Sequence, residues 1–307
     1  EVYMLDGDAE RLMAALEDVL QPNVSLSPIL SIRTGGPARL LLEASNERGV
    51  CRAIEEARRL GIPILLVGNG SNTLVADTGF DGLVIHFGPD YADIVIDGDA
   101  VEAQSGALLP VVAKRVAEAG LTGFEFASGI PGSIGGAAFM NAGAFGRDFS
   151  TIVERVRCLT PQGEILELDN QDMAYGYRTS RFMQEGLVVL HVRMKLAPGN
   201  KEEILVRMDT YTAERRAKQP LNYPSAGSFF RRPEGHFAGA LIEEAGLKGH
   251  RVGGAAVSTL HAGFLINLGD ATTADFLALM HEVQGEVLTR FGVQLENEVR
   301  IVGVDPT

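Results

Sequence analysis

The sequence predicts an α+β fold, and three observations carry that reading. Amphipathic helices alternate with short apolar runs at the start of the chain. Extended segments joined by a tight turn follow in the middle. Helices and short strands then alternate to the end, with no internal repeat and no low-complexity linker. A chain of 307 residues can bury more than one core, so two or three domains are expected.

Taken in order, residues 10–20 place Leu12, Met13, Leu16, Val19 and Leu20 on one helical face. Residues 46–60 repeat the pattern with Val50, Ile54, Ala57 and Leu60, and Gly61 ends it. The apolar run 62–67 reads as a buried strand, and 83–87 as another. Residues 94–96 and 101–103 suit a short hairpin, and 108–119 a helix stopped by Gly120. Strands at 153–159 and 164–168 flank Pro161-Gln162-Gly163, a hairpin turn, and 187–196 is a further strand. A helix spans 201–217, a polar, proline-rich segment 219–235, and a second helix 239–245. Strands at 255–257 and 265–267, a long helix over 272–291 and a strand at 299–304 complete the chain.

Two glycine-rich stretches break this pattern. Residues 126–138 hold Gly129, Gly132, Gly135 and Gly136 with Ser128, Pro131 and Ser133 between apolar residues. Each glycine weakens a core helix or strand, so the whole stretch is expected to be a loop whose backbone approaches a ligand. Gly68-Asn69-Gly70-Ser71-Asn72 follows the 62–67 strand. Backbone N–H groups freed in this way can converge on phosphate oxygens. Two such loops suit one long ligand with a central diphosphate, such as a dinucleotide. Thr73 stands where a Rossmann fingerprint has its third glycine, and no Gly-Lys-Ser/Thr ending marks a P-loop.

Composition narrows the class. The hydrophobic fraction of 46% and charged fraction of 22% are ordinary for a globular enzyme. No apolar run reaches membrane-spanning length, and residues 1–7 lack a basic and apolar signal segment. A net charge of −13 opposes nucleic acid and anionic membrane, so an anionic substrate needs a local cationic cluster. Arg215, Arg216 and Lys218, followed by Arg231 and Arg232, are the candidates; a solvated helix end is the plainer alternative. Cys51 and Cys158 read as inert thiols of a reducing, cytoplasmic compartment. The histidines show no ligand spacing, so no metal site is expected.

Several segments, in order over almost the whole chain, carry a family resemblance. They include Thr34-Gly35-Gly36-Pro37, the two glycine stretches, Asn141-Ala142-Gly143, Tyr177-Arg178-Thr179-Ser180, Ala226-Gly227-Ser228, Glu243-Glu244-Ala245-Gly246 and Leu295-Glu296-Asn297-Glu298-Val299-Arg300. The glycine loops alone resemble the broad vanillyl-alcohol oxidase-like, PCMH-type FAD-binding family. Together with the other motifs, the chain resembles the UDP-N-acetylenolpyruvoylglucosamine reductases, flavoenzymes of peptidoglycan precursor synthesis. The resemblance implies a two-part FAD-binding region, residues 1–88 with 299–307 and residues 89–204, and an α+β substrate domain at 205–298. Phe182 runs into the 187–189 strand with almost no insertion, which resembles the shorter, type II form.

The implied reaction is reduction by NADPH through non-covalent FAD. Hydride passes from flavin N5 to C3 of the enolpyruvyl group, and a proton arrives at C2 to give UDP-N-acetylmuramate. By motif match Ser228 is the proton donor, Arg178 polarises the substrate carboxylate, and Glu298 is the catalytic acid, with Glu296 its competitor. Glu298 is expected to act as a protonated hydrogen-bond donor. Implied cofactor contacts are Gly68, Asn69, Gly70, Ser71 and Asn72; Ser105 and Gly106; Gly129, Ile130, Pro131, Gly132, Ser133, Gly135 and Gly136; and Asn141 and Gly143. Implied substrate contacts are Tyr177, Lys218, Tyr223, Arg232 and Glu244. Arg232 and Glu244 replace an asparagine and a glutamine of larger family members. Two other classes stay open on the residues: another FAD-dependent oxidase, and a UDP-sugar-binding regulator without redox function.

Overall fold

A computed structural model describes residues 3, 6–16 and 20–304. The opening sheet has the order Gln21–Ser25, Pro37–Glu43, Phe80–His86, Ile64–Val67. Its last three strands are parallel, and Gln21–Ser25 joins antiparallel at the edge. Helix Glu47–Arg59 makes the crossover and buries Val50, Ala53, Ile54 and Ala57 against the sheet core. The sequence reading missed Gln21–Ser25 and Pro37–Glu43 because each contains a proline, which counts against a strand. Pro22 lies on the edge strand and Pro37 opens its own, the positions where a missing N–H is tolerated. The first helix is Gly7–Ala15, three residues earlier than expected, because the Asp6 carboxylate accepts from the Asp8 and Ala9 N–H groups as its cap. Val19 of the expected helix lies outside the described residues.

A second, antiparallel sheet has the order Ile165–Asp169, Val153–Leu159, Val188–Lys195, Ala100–Gln104, Ile94–Asp97. It contains both hairpins expected from the sequence. Helix Leu109–Glu118 packs on it with Val112, Ala113 and Val116 in the core. Cys158 is buried there, and burial pushes its thiol up to about 11. The short helix Arg181–Glu185 ends at Gly186 and leads directly into Val188–Lys195.

One expectation is corrected here. Residues 126–138 are not loop throughout, because helix Ile134–Met140 begins inside them, capped by the Ser133 hydroxyl. Gly135 is helical because the helix runs against the second sheet: a Cβ there would lie 2.7 Å from Ser105 Oγ. The glycine therefore serves close packing of a helix as well as the loop before it.

The third sheet, Ser225–Ser228, Phe264–Asn267, Ala255–Val257, Arg251–Val252, is antiparallel. Its first strand falls within the segment read as polar coil, because its small residues give no alternating apolar signal. Helix Thr273–Phe291, opened by a Thr272–Asp275 capping box, covers this sheet with Phe276, Leu279, Met280 and Val283. That core is continuous with Leu65, Val67 and Leu74 of the opening unit. The last strand, Arg300–Val302, returns to lie parallel to Thr73–Val75.

Helix Lys201–Lys218 bridges two units, and the implied domain boundary at 204/205 falls inside it. Ile204 is buried, Arg207 pairs with buried Glu125 at 3.4 Å, and Met208 packs on the second core. Tyr211 stacks on Phe145 at 4.0 Å between ring centroids. These positions recur at three and four residues, so one helical face is committed to the second unit. No helix among the described residues is long and apolar enough to cross a membrane.

Candidate active site at the junction of two cavities

The two glycine loops line one cavity of about 890 Å³ between the three sheets. They are held to each other: the Asn69 amide donates to the Pro131 carbonyl at 2.8 Å. A Cβ at Gly68 would lie 2.3 Å from Ser133 Oγ, so no larger residue permits this approach. Asn72 ties the loop to the end of the chain: its side chain donates to the Glu298 carbonyl at 3.0 Å, and its own carbonyl accepts from Arg300. The cavity wall includes Gly68 to Asn72, Ser105, Ile130 to Ser133, Gly135, Gly136 and Gly143. Two arginines on it, Arg215 and Arg231, each bury a guanidinium nitrogen that has no hydrogen-bond partner among the described residues. Volume, glycine cradle and unpaired buried cations all suit a bound dinucleotide such as FAD.

At one end the wall carries Arg178, Ser228 and Glu298. Ser228 ends its strand after an irregularity in pairing, where Gly227 takes φ +78°. This bulge turns the strand end and presents Ser228 exposed in the cavity. Glu298 is placed by backbone: its N–H donates to the Phe229 carbonyl at 2.9 Å, beside the Ser228 strand. Arg178, itself at φ +52°, donates from Nε to Glu298 Oε1 at 2.6 Å. Its Nη1 reaches the Asn141 carbonyl at 3.5 Å. Residues 120 positions apart are thus joined in one ion pair, at 23% and 12% side-chain exposure. Glu298 accepts from Arg178 through Oε1. Its competitor Glu296 is exposed and lines neither cavity.

A second cavity of about 380 Å³ opens on the other side of the same three residues. Tyr177 and Arg232 line it, with Phe237, Glu243 and His261. The Tyr177 hydroxyl accepts from the Arg232 N–H at 3.3 Å, and the Arg232 guanidinium lies 3.9 Å over the Phe237 ring. His261 accepts from the Gly263 N–H on Nδ1 at 3.1 Å, which fixes a neutral ring, and burial lowers its pKa.

Other residues singled out in the sequence line neither cavity. Gly106 stacks behind the wall with its N–H on the Tyr91 carbonyl. Gly129 packs against the Arg215 side chain, and Asn141 acts from behind by holding Arg178 and the Gly176 and Ser150 backbone. Tyr223 and Glu244 are exposed outside both cavities. Lys218 points to solvent, 71% exposed, and pairs with Glu214 at 3.2 Å one helical turn back. The cation that the same helix delivers to the site is Arg215. Ile204, Met208, Tyr211 and Arg215 recur at helical spacing, but so does Lys218, seven residues after Tyr211, so spacing alone does not separate the two cations.

Comparison with known proteins agrees with this geometry. A family model described as "UDP-N-acetylenolpyruvoylglucosamine reductase, C-terminal domain" matches residues 219–302, and one described as "FAD binding domain" matches residues 38–169. The chain is 44% identical over 286 residues to the UDP-N-acetylenolpyruvoylglucosamine reductase of Clostridium botulinum (strain Eklund 17B / Type B), covering 93% of this chain and 94% of the relative. It is 45% identical over 286 residues to that of Lactiplantibacillus plantarum, with the same coverage. The crystal structure of UDP-N-acetylenolpyruvylglucosamine reductase (MurB) from Thermus caldophilus superposes with a TM-score of 0.80 at 35% identity, covering 92% of this chain and 98% of that one. With motifs, fold and these relatives in agreement, the chain belongs to the UDP-N-acetylenolpyruvoylglucosamine reductase family.

Proposed function

We propose that this chain is an FAD-dependent enzyme that reduces UDP-N-acetylenolpyruvoylglucosamine to UDP-N-acetylmuramate, with NADPH as the reductant. The observation that carries this reading is the sharing of Arg178, Ser228 and Glu298 by both cavities. A group bound in the larger cavity and a substrate bound in the smaller one meet there. When bound, the flavin supplies the hydride chemistry.

The chain's own residues do the rest. The loops at 68–72 and 130–136 hold the cofactor by backbone. Arg178 is pre-aimed by Glu298 and the Asn141 carbonyl, and its Nη2 is the atom we assign to the substrate carboxylate, where charge accumulates during reduction. Ser228 Oγ donates the proton to C2, and Glu298 orients Arg178 and supports that transfer. A serine is a weak acid and donates usefully only to a strongly basic carbon, which the enolate at C2 is. Tyr177 and Arg232 form the wall for the nucleotide-sugar diphosphate. We place the reaction in the cytoplasm and expect no nucleic-acid partner, in keeping with the net charge of −13. We keep residues 1–88 with 299–307, 89–204 and 205–298 as our division into domains, with helix Lys201–Lys218, which packs on the second unit, crossing the last boundary.

The first test is colour and turnover. The purified protein is expected to be yellow, to release FAD on acid denaturation, and to turn over NADPH beyond one equivalent per flavin when the enolpyruvyl substrate is present. No His or Cys lies on the large cavity wall to tether a flavin. Flavin remaining on the precipitated chain would end the non-covalent assignment, and a colourless folded protein would favour the regulator. Substrate anchoring separates the two cations. Arg232→Ala should raise KM for the UDP substrate about tenfold or more, as expected for a charge-assisted contact. Lys218→Ala should change it less than about fivefold, since exposed pairs contribute ~0.2–1 kcal/mol. The reverse ranking in steady-state kinetics would restore Lys218 as the anchor.

A further inference from the structure

We propose that Arg215 is the side chain that neutralises the diphosphate of the bound FAD, delivered to the flavin site by helix Lys201–Lys218. Arg215 lines the large cavity, and its Nη1 is buried with no hydrogen-bond partner among the described residues. A buried guanidinium nitrogen left unpaired is costly, so the position implies an anionic ligand. Its orientation is set at the helix end: Nε donates to Oε1 of the C-cap residue Gln219 at 3.2 Å. Its location is set by the second glycine loop. A Cβ at Gly129 would lie 2.7 Å from Arg215 Cδ and 3.3 Å from Nη1, so glycine at 129 makes room for the guanidinium. That loop is tied to the first by Asn69 and Pro131. Arg215 thus stands beside the joined loops, whose backbone suits the doubly charged middle of a dinucleotide.

Three features favour the cofactor over the other anions of the reaction. Arg215 is absent from the walls of the smaller cavity, where Tyr177 and Arg232 stand. The Tyr211–Phe145 stack and the Arg207–Glu125 pair hold its helix to the second unit. Burial holds the guanidinium below its ordinary pKa, the expected state before an anion arrives. Gly129 therefore acts through Arg215, which accounts for a loop glycine outside the cavity wall.

This inference rests on the FAD reading above, which flavin content of the unsubstituted protein tests separately. The experiment compares holoenzymes of the unsubstituted protein, Arg215→Gln and Arg215→Lys by the rate at which flavin fluorescence appears after dilution. Arg215→Gln should release FAD about tenfold faster or more, the loss expected for a buried charge-assisted hydrogen bond, with Arg215→Lys between. A colourless Arg215→Gln protein with native circular dichroism, and flavin regained in Arg215→Lys, supports the proposal equally. Unchanged flavin release overturns it, as does a raised KM for either substrate with release unchanged. Loss of native circular dichroism in both variants also overturns it, in favour of a packing role on the Gly129 loop.

Discussion

Ser228→Ala is expected to leave flavin reduction by NADPH near its normal rate and to slow reoxidation by the enolpyruvyl substrate roughly 10²-fold or more, the contribution of a positioned proton donor. The split follows from the geometry. Ser228 lies at the wall common to both cavities, while the glycine loops that hold the cofactor lie along the larger one. Hydride transfer from NADPH needs no proton at the substrate carbon. Reduction of the enolpyruvyl group does. Ser228→Cys should keep more activity than alanine, because a thiol at the end of the same bulged strand still donates. The fold should tolerate both changes, since Ser228 is exposed. Stopped-flow flavin absorbance in each half-reaction is the measurement. Equal slowing of both halves in a folded variant would make Ser228 a flavin-positioning residue.

Arg178→Ala should show the same split with a loss of roughly 10²–10³-fold in the second half-reaction, the range for removing one preorganised donor at developing charge. Two penalties act together. On the proposed reading the substrate carboxylate loses its guanidinium, and Glu298, only 12% exposed in its side chain, loses its partner at 2.6 Å and turns a bare carboxylate toward an anionic substrate. Arg178→Lys should recover little, because an ammonium cannot reproduce the fork that meets Glu298, the Asn141 carbonyl and the substrate at once. Glu298→Gln keeps an acceptor for Arg178 but removes the acid, so it separates positioning from proton chemistry. Its second half-reaction should fall while its flavin reduction holds. If Glu298→Gln matched the unsubstituted protein in both halves, Glu298 would serve Arg178 alone. Thermal melting of the apo and loaded forms checks that neither result is lost stability.

Much of this protein was set by local sequence. The long helices Glu47–Arg59, Leu109–Glu118, Lys201–Lys218 and Thr273–Phe291 carry their own periodicity and stops, so they form within a residue or two of where the pattern places them. The hairpins follow from alternation and turn residues, and the first glycine loop from the close approach its composition permits. What the residues alone left undecided depends on partners distant in the chain. Strands Gln21–Ser25, Pro37–Glu43 and Ser225–Ser228 exist because neighbouring strands pair with them, against prolines and small residues that argue locally for coil. Gly135 is helical because Ser105 lies against it, and glycine content alone cannot distinguish a ligand cradle from a tight helix contact. That Glu298 and not Glu296 meets Arg178, 120 residues away, depends on the Phe229 carbonyl that holds its backbone N–H. The same holds for the cationic cluster: sequence grouped Arg215, Arg216 and Lys218 with Arg231 and Arg232, but the docking of helix Lys201–Lys218 on the second unit buried a guanidinium nitrogen of Arg215 and left Lys218 in solvent. Propensity and patterning act over a few residues, so they place elements; which side chains meet is a property of packing between elements, where burial and long-range pairing decide.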